Sequence, residues 1–335
     1  MNETLFIGTT PGLEGGLVEE LEELGFAGQP TSGGVTLDAP AGSYRKLNLW
    51  SRVASRVLLR VAEVPTPDAL RKLHLADYGT AFEVDAFGVD PGKWGGVLAS
   101  TPGAVKLLLR GTKNGCQVSL DTSGELLHFR GYRQEVGRAP MRETLAAGVL
   151  RLTKWKPDEP LWDLMCGSGT LIIEAAELAM GLAPGRNRKF AFEQFPAHDE
   201  AAWRALAREK PGVKPLIIGS DLNSGALGTA RRNAKRAGVF EQLKLERLDA
   251  TQLTDHGETG LVIANLPYGK RVGERDDLAR LYRAVGKSLM AKCAGWYFGF
   301  LLEEGAEHLG LEIAERHPVT NGGIGCEVVL GQIPL

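Results

Sequence analysis

The chain has 335 residues, 43% of them hydrophobic, and a formal net charge of −2. That length supports two or three compact units, and the near-neutral balance excludes a chain that binds nucleic acid through overall basicity. No run of about 18 apolar residues is present, MNETLFIGTT carries no basic leader, and Cys116, Cys166, Cys293 and Cys326 form no C-x-x-C pair, so a cytoplasmic protein without membrane span, zinc knuckle or disulfide framework is expected.

From Thr4 the pattern predicts a strand (LFIGTT), an amphipathic helix (GLEGGLVEELEELG), a short strand (GGVTLDA) and a helix around YRKLNLWSRVASRV, which together make a ferredoxin-like α+β unit over residues 1–55. Glu14, Glu19, Glu20, Glu22 and Glu23 read as the solvated face of the first helix. A proline break at VPTPD leads into a second mixed segment, 56–135, with strands FEVDAFG, VKLLLRG and QVSLD, and DTSGE reads as a hairpin turn. Residues 101–156 hold ten Lys or Arg against four acids, a local excess able to follow a phosphate backbone. Beyond residue 136 strands and helices alternate: LWDLM, LIIEAAELAM, LIIGSD, SGALGTARRNAKRAG, LKLERLDA, LVIANLPYG, DDLARLYRAVGKSLMAKC and WYFGFLL. This alternation predicts a doubly wound, Rossmann-like parallel sheet over 136–335, with ligands at the carboxyl ends of its strands.

Asp163-Leu164-Met165-Cys166-Gly167-Ser168-Gly169-Thr170 falls between a strand and a helix, where glycines allow close approach of a ligand to the backbone. Alone, the G-x-G fits a dinucleotide site, a nucleoside-thioether site or a plain turn. Leu171 and Ile172 stand where a dinucleotide fingerprint continues toward its third glycine, the next strand-end acid is more than fifty residues on, and no Gly-Lys-Ser/Thr follows. A methyl-donor site asks instead for acids at successive strand ends, and Asp163, Asp221 and Asp249 occupy those places.

Asn265-Leu266-Pro267-Tyr268 follows the apolar strand LVIA. An Asn side-chain oxygen and a neighbouring backbone carbonyl can accept both hydrogens of an amino group, freeing its lone pair to attack a methyl sulfonium, and an aromatic ring at the fourth place can stack on the base. Asn265, Pro267 and Tyr268 are the candidate catalytic residues. No cysteine lies near this turn, which disfavours carbon methylation through a thiolate, and Cys166 reads as a small buried residue.

With these residues in place, the chain resembles the class I RNA methyltransferases that carry an N-terminal THUMP region, and among them the bacterial 23S ribosomal RNA guanine-N2 methyltransferases. The likeness runs through His128-Phe129-Arg130-Gly131-Tyr132-Arg133, Ala139-Pro140-Met141-Arg142-Glu143-Thr144, the glycine loop through Glu174, Ala183-Pro184-Gly185, the Asn265 turn, and Asn321-Gly322 followed by Cys326. It implies that S-adenosyl-L-methionine is held by Met141, Thr144, Asp163, Cys166, Gly167, Ser168, Gly169, Thr170, Asp221, Leu222, Asp249, Ala250 and Asn265, with no metal. It implies that the Asn265 turn holds a guanine and that 56–135 is a THUMP-like RNA-binding region; Arg130, Arg133, Lys270 and Arg271 are the candidate RNA contacts. Leu266 replaces a proline of the family's usual N-P-P-Y or D-P-P-Y, which predicts a less rigid turn, and Asp163-Leu164 stands where D-P is common. A tRNA guanine-N2 methyltransferase shares fold, donor and turn. A DNA adenine-N6 methyltransferase would more often carry a separate target-recognition domain, and a silent RNA-binding protein would show a damaged donor loop or turn. The sequence leaves oligomeric state open.

Overall fold

A computed structural model describes residues 2–94, 96, 98–134, 141–206, 211–255, 257, 259–268 and 275–335, without the side chains of Pro91 and Arg275. The chain divides into two compact units: Met1–Thr10, Glu14–Phe129 and Pro184–Arg208 form the first, and Pro11–Leu13, Arg130–Ala183 and Glu209–Leu335 the second.

The first unit begins with β1 (Asn2–Gly8), α1 (Glu14–Glu23), β2 (Gln29–Thr31), β3 (Gly34–Pro40), α2 (Ser43–Trp50) and β4 (Arg56–Val64). It continues with α3 (Pro67–Arg71), β5 (Phe82–Phe87), α4 (Pro91–Trp94), β6 (Val105–Thr112) and β7 (Gly115–Asp121). All seven strands join one sheet in the order β2-β3-β1-β4-β7-β6-β5, so residues from 1–55 and from 56–135 share a single sheet. Alternation places Leu5 and Ile7 of β1 and Val57 and Leu59 of β4 in the core, beneath Leu17 and Leu21 of α1.

Three sequence expectations change here. The second helix stops at Trp50 rather than running to Val57, and the residues beyond form β4. The cause is Glu20: instead of joining a solvated face it is buried, accepting from the Ser51 hydroxyl and from the backbone N–H groups of Arg52 at 2.8 Å and Val53 at 3.3 Å. Those bonds favour a turn where the helix would continue. DTSGE is not a hairpin; the β6–β7 turn lies at Thr112–Gly115, and Thr122 and Ser123 are buried, bonded to Asn48 at 2.8 and 2.6 Å.

The second unit runs α5 (Glu143–Leu152), β8 (Leu161–Asp163) and α6 (Thr170–Ala179). After Pro184–Arg208, which belongs to the first unit and carries α7 (Glu200–Leu206), it resumes with β9 (Ile217–Asp221), α8 (Ser224–Ala237), β10 (Leu243–Arg247) and β11 (Leu261–Asn265). α9 (Arg275–Lys292), β12 (Tyr297–Leu302), β13 (Glu315–Asn321) and β14 (Ile324–Gln332) complete it. Its sheet order is β10-β9-β8-β11-β12-β14-β13, parallel through β12 and closed by an antiparallel hairpin. From β8 the chain builds outward through β9 to β10 and then returns to β11 on β8's other side. The order therefore reverses between β8 and β11, the place where open α/β sheets bind ligands at strand carboxyl ends.

Candidate functional site

The glycine loop and the Asn265 turn leave the sheet side by side. Asp163, last in β8, lies opposite Ile263 of β11, and the Leu164 N–H donates to the Ile263 carbonyl at 3.1 Å. The loop is then fastened at several points. Cys166 N–H donates to the Ser220 carbonyl at 2.9 Å and Gly169 N–H to the Cys166 carbonyl at 2.7 Å. Gly167 (φ 53°) donates to Oδ2 of Asp221 at 2.9 Å, and Asn233 of α8 donates through Nδ2 to the Ser168 carbonyl at 3.1 Å. Gly169 (φ 87°) caps α6, and a Cβ there would stand 3.0 Å from Cβ of Ala230. Glycine is thus required for the packing of α6 on α8.

Asp163 and Asp221 end β8 and β9, and Asp249 lies two residues beyond the end of β10; their surroundings differ. Asp163 is 1% exposed, and burial pushes its carboxyl up to about 8 despite the hydrogen bond from Met165 N–H at 3.1 Å. Half-buried Asp221 accepts from Gly167 and, through Oδ1, from Asn223 N–H at 2.8 Å. Asp249 accepts from the N–H and hydroxyl of Thr251 at 2.9 and 2.7 Å. Leu222 is 58% exposed beside Asp221, whereas Ala250 is buried beside Asp249. Met141 and Thr144 are buried, and Arg133 brings the Met141 segment to the start of α6, donating to the Met141 carbonyl at 2.6 Å and to the Thr170 hydroxyl at 3.5 Å. Cys166 is buried with its thiol pushed well up by desolvation, the state of a small packing residue.

At the tetrapeptide, Oδ1 of Asn265 is buried without a hydrogen-bond partner among the described residues. Its neighbours are held on both sides: Leu266 N–H donates to the Leu301 carbonyl at 2.9 Å, and the Tyr282 hydroxyl donates to the Pro267 carbonyl at 2.7 Å. The missing proline therefore does not loosen the turn. Leucine supplies an N–H that proline lacks, and its side chain is fully buried in the core with Val262, Phe300 and Tyr282. Tyr268 is 8% exposed, and Nδ2 of Asn321 donates to its hydroxyl at 2.6 Å. Asn233 and Tyr282 were not singled out by motif. Asn233 sits on a face of α8 otherwise made of Ala230, Ala234 and Ala237, a polar interruption at helical spacing that the sequence does display.

Two expected RNA contacts do not face solvent. Arg130 is 2% exposed and forms a bidentate pair with Glu174 of α6, Nε–Oε1 3.3 Å and Nη2–Oε2 3.4 Å, which Tyr132 joins at 3.4 Å. Burial opposes its charge, but Glu174 outweighs that and holds the guanidinium above its ordinary range. Arg133, 9% exposed, pairs with Glu143 at 2.8 Å, and burial pushes that carboxyl up to about 7. Both arginines fasten chain segments within the second unit, because a buried guanidinium is retained beside a carboxylate. Lys270 and Arg271 lie outside the described residues, as does Ala139-Pro140. Among the described residues, no group of three or more His, Cys, Asp or Glu is arranged to hold a metal ion, and no helix is long and apolar enough to cross a membrane.

Residues 130–327, from ahead of α5 into the start of β14, match the family described as RMKL-like, methyltransferase domain. The chain belongs to this methyltransferase family. Residues 4–58 match the RlmL ferredoxin-like domain, which accounts for the strands and helices of β1 to α2. The chain is 35% identical to the ribosomal RNA large subunit methyltransferase K/L of Psychromonas ingrahamii, over 96% of this chain and 49% of that protein. It is 30% identical to a Synechocystis protein provisionally named an RNA methyltransferase, over 95% and 94% of the two chains. The chain spans about half the length of the K/L relatives it matches. Among solved structures, SMU.472, provisionally named a methyltransferase and crystallised in complex with SAH, superposes with a TM-score of 0.90 at 26% identity, covering 98% and 97% of the two chains.

Proposed function

We propose that this methyltransferase acts on RNA, transferring a methyl group from S-adenosyl-L-methionine to the exocyclic N2 of a guanine in 23S ribosomal RNA, in the cytoplasm. The observation that carries the reading is the buried Oδ1 of Asn265, without a partner among the described residues, at the switch point of the sheet beside the glycine loop. A buried acceptor without a donor costs stability, so its retention points to a partner that arrives with the substrate. An amino group is such a partner.

The residues present fit the donor. Gly167, Ser168 and Gly169 offer backbone at the amino end of α6 without side-chain obstruction, Asp221 and Asp249 offer carboxylates for ribose hydroxyls and the adenine amine, and exposed Leu222 offers an apolar surface for the adenine ring. Asp163, Met141 and Thr144 would complete the enclosure. When bound, S-adenosyl-L-methionine supplies an electrophilic methyl on a sulfonium. For its part the chain aligns the acceptor: Oδ1 of Asn265 takes one hydrogen of the guanine amine and strengthens that bond as the nitrogen becomes positive, while Tyr268 orients the base.

Support for RNA comes from the relatives' names and the ferredoxin-like match; the region 56–135 would be the THUMP-like part that holds the RNA, with Lys270 and Arg271 contacting phosphates near the turn. Incubation with labelled donor and undermethylated total RNA, followed by nucleoside analysis of separated ribosomal and transfer fractions, tests the reading. Label in N2-methylguanosine of the large ribosomal RNA is the expected result. Label confined to tRNA would move the substrate to that class, and label in no RNA, with transfer to duplex DNA adenine, would overturn it.

A further inference from the structure

The closing hairpin of the second unit contributes to the candidate site a residue far in sequence from the tetrapeptide. Gly322 (φ 60°) and Gly323 (φ 88°) form a two-residue turn between β13 and β14, which fixes Asn321 opposite Ile324. Asn321 is 8% exposed, and its Nδ2 donates to the Tyr268 hydroxyl at 2.6 Å. On the same hairpin Cys326, paired with Val319 of β13, is buried. The hydroxyl thus accepts from the hairpin. A phenol so held is restrained at its far end, so its ring plane is set by the hairpin as well as by the turn that carries it.

Three features argue against simple packing. An apolar residue would fill the space behind Tyr268 at lower desolvation cost, yet an amide stands there with its donor aimed at the hydroxyl. Pro267, the preceding residue, is tied independently through Tyr282, so the backbone is placed without any help from Asn321. What remains to be fixed is the ring's rotation, and rotation decides whether a flat base can stack. We propose that Asn321 is a positioning residue: it locks the Tyr268 ring in the orientation that receives the target base. The inference rests on the reading that Tyr268 holds the base.

The test is a double-mutant cycle on the full chain with undermethylated ribosomal RNA, comparing wild type, Asn321→Ala, Tyr268→Phe and the double variant. Asn321→Ala should raise the KM for RNA about five- to tenfold, the scale of one hydrogen bond, with a smaller change in kcat and unchanged donor affinity. Tyr268→Phe should do the same, and the double variant should be no worse than Tyr268→Phe alone. Multiplying effects, or a wild-type KM in a folded Asn321→Ala protein, would overturn the proposal. Should Asn321→Ala not fold, Tyr268→Phe decides by itself, since it removes the anchored hydroxyl from the other side; a wild-type KM there is equally fatal. Tyr268→Ala separates the two levels. Full methylation by that variant refutes base holding altogether, whereas impaired Tyr268→Ala beside unimpaired Tyr268→Phe refutes only the role of the hairpin.

Discussion

The backbone N–H of Gly167 donates to Oδ2 of Asp221 at 2.9 Å, so the glycine loop after β8 is fastened to the carboxylate that ends β9. One residue therefore shapes the loop and, on the proposed reading, would present an acceptor to the donor's ribose. Asp221→Ala is expected to weaken S-adenosyl-L-methionine binding by about 1.5 to 3 kcal/mol, the range for a charge-assisted hydrogen bond. Calorimetric titration of the purified protein measures this. Unaltered affinity would remove Asp221 from the donor site.

The Arg130–Glu174 pair makes a contrasting prediction. Arg130→Ala leaves a fully buried carboxylate on α6 and should cost about 3 to 5 kcal/mol in a denaturant titration, with no change in the salt dependence of RNA binding. Lys270→Ala with Arg271→Ala should behave in the opposite way. The slope of log affinity against log salt should flatten by about 1 to 2, one phosphate contact for each residue lost. An Arg130→Ala protein of normal stability with a flattened slope would return Arg130 to the RNA surface.

Much of the second unit was legible because its signals are local. Periodicity gave the alternating strands and helices, with Asp163 and Asp221 at strand ends as expected and Asp249 two residues past the end of β10. What escaped depends on partners distant in sequence. Nothing near Glu20 shows that its carboxylate will cap the Ser51–Val53 turn, and nothing near Arg130 shows Glu174 waiting forty-four residues on. Leu266 looked like a weakened proline turn because the value of its N–H depends on Leu301, on the neighbouring strand. The β13–β14 hairpin is different: the Asn321-Gly322-Gly323 turn signal stands in the sequence between two strand-like runs.

Asp163 should make the protein less stable as pH rises. Its carboxyl titrates at about 8 in the folded chain and near the ordinary 3.8 when unfolded, so between these values the folded state binds more protons. Stability is therefore fullest below about 4 and is lost as pH climbs through 8. Asp163→Asn keeps an oxygen for the Met165 N–H and removes the charge. It should raise stability at pH 7.5 by on the order of 2 kcal/mol and flatten the fall in melting temperature between pH 5 and about 8, while donor binding weakens. Melting curves across that range check the first claim. A variant as pH-sensitive as the parent would show that Asp163 is solvated in the free protein.

Asn265→Ala bears most directly on mechanism, because the side-chain oxygen has two separable consequences. In the folded protein it is a buried acceptor without a partner among the described residues, so its removal should leave stability unchanged or raise it by about 1 kcal/mol, instead of the loss that usually follows truncation of a buried polar residue. In the reaction it would accept from the target amine as positive charge develops on nitrogen. Loss of an interaction made chiefly in the transition state should slow methyl transfer by about 10² to 10³, by analogy with removal of one oxyanion-hole group, while donor affinity stays close to wild type. Asn265→Asp retains an acceptor at the same place and should keep more activity than Asn265→Ala. Single-turnover methylation of the responsive RNA fraction, run beside donor calorimetry and thermal unfolding, measures all three quantities on the same preparations. A stable Asn265→Ala protein that methylates at the wild-type rate would reduce the tetrapeptide to a strand-ending turn, and the acceptor site would then have to be sought elsewhere along the carboxyl ends of β8 to β12.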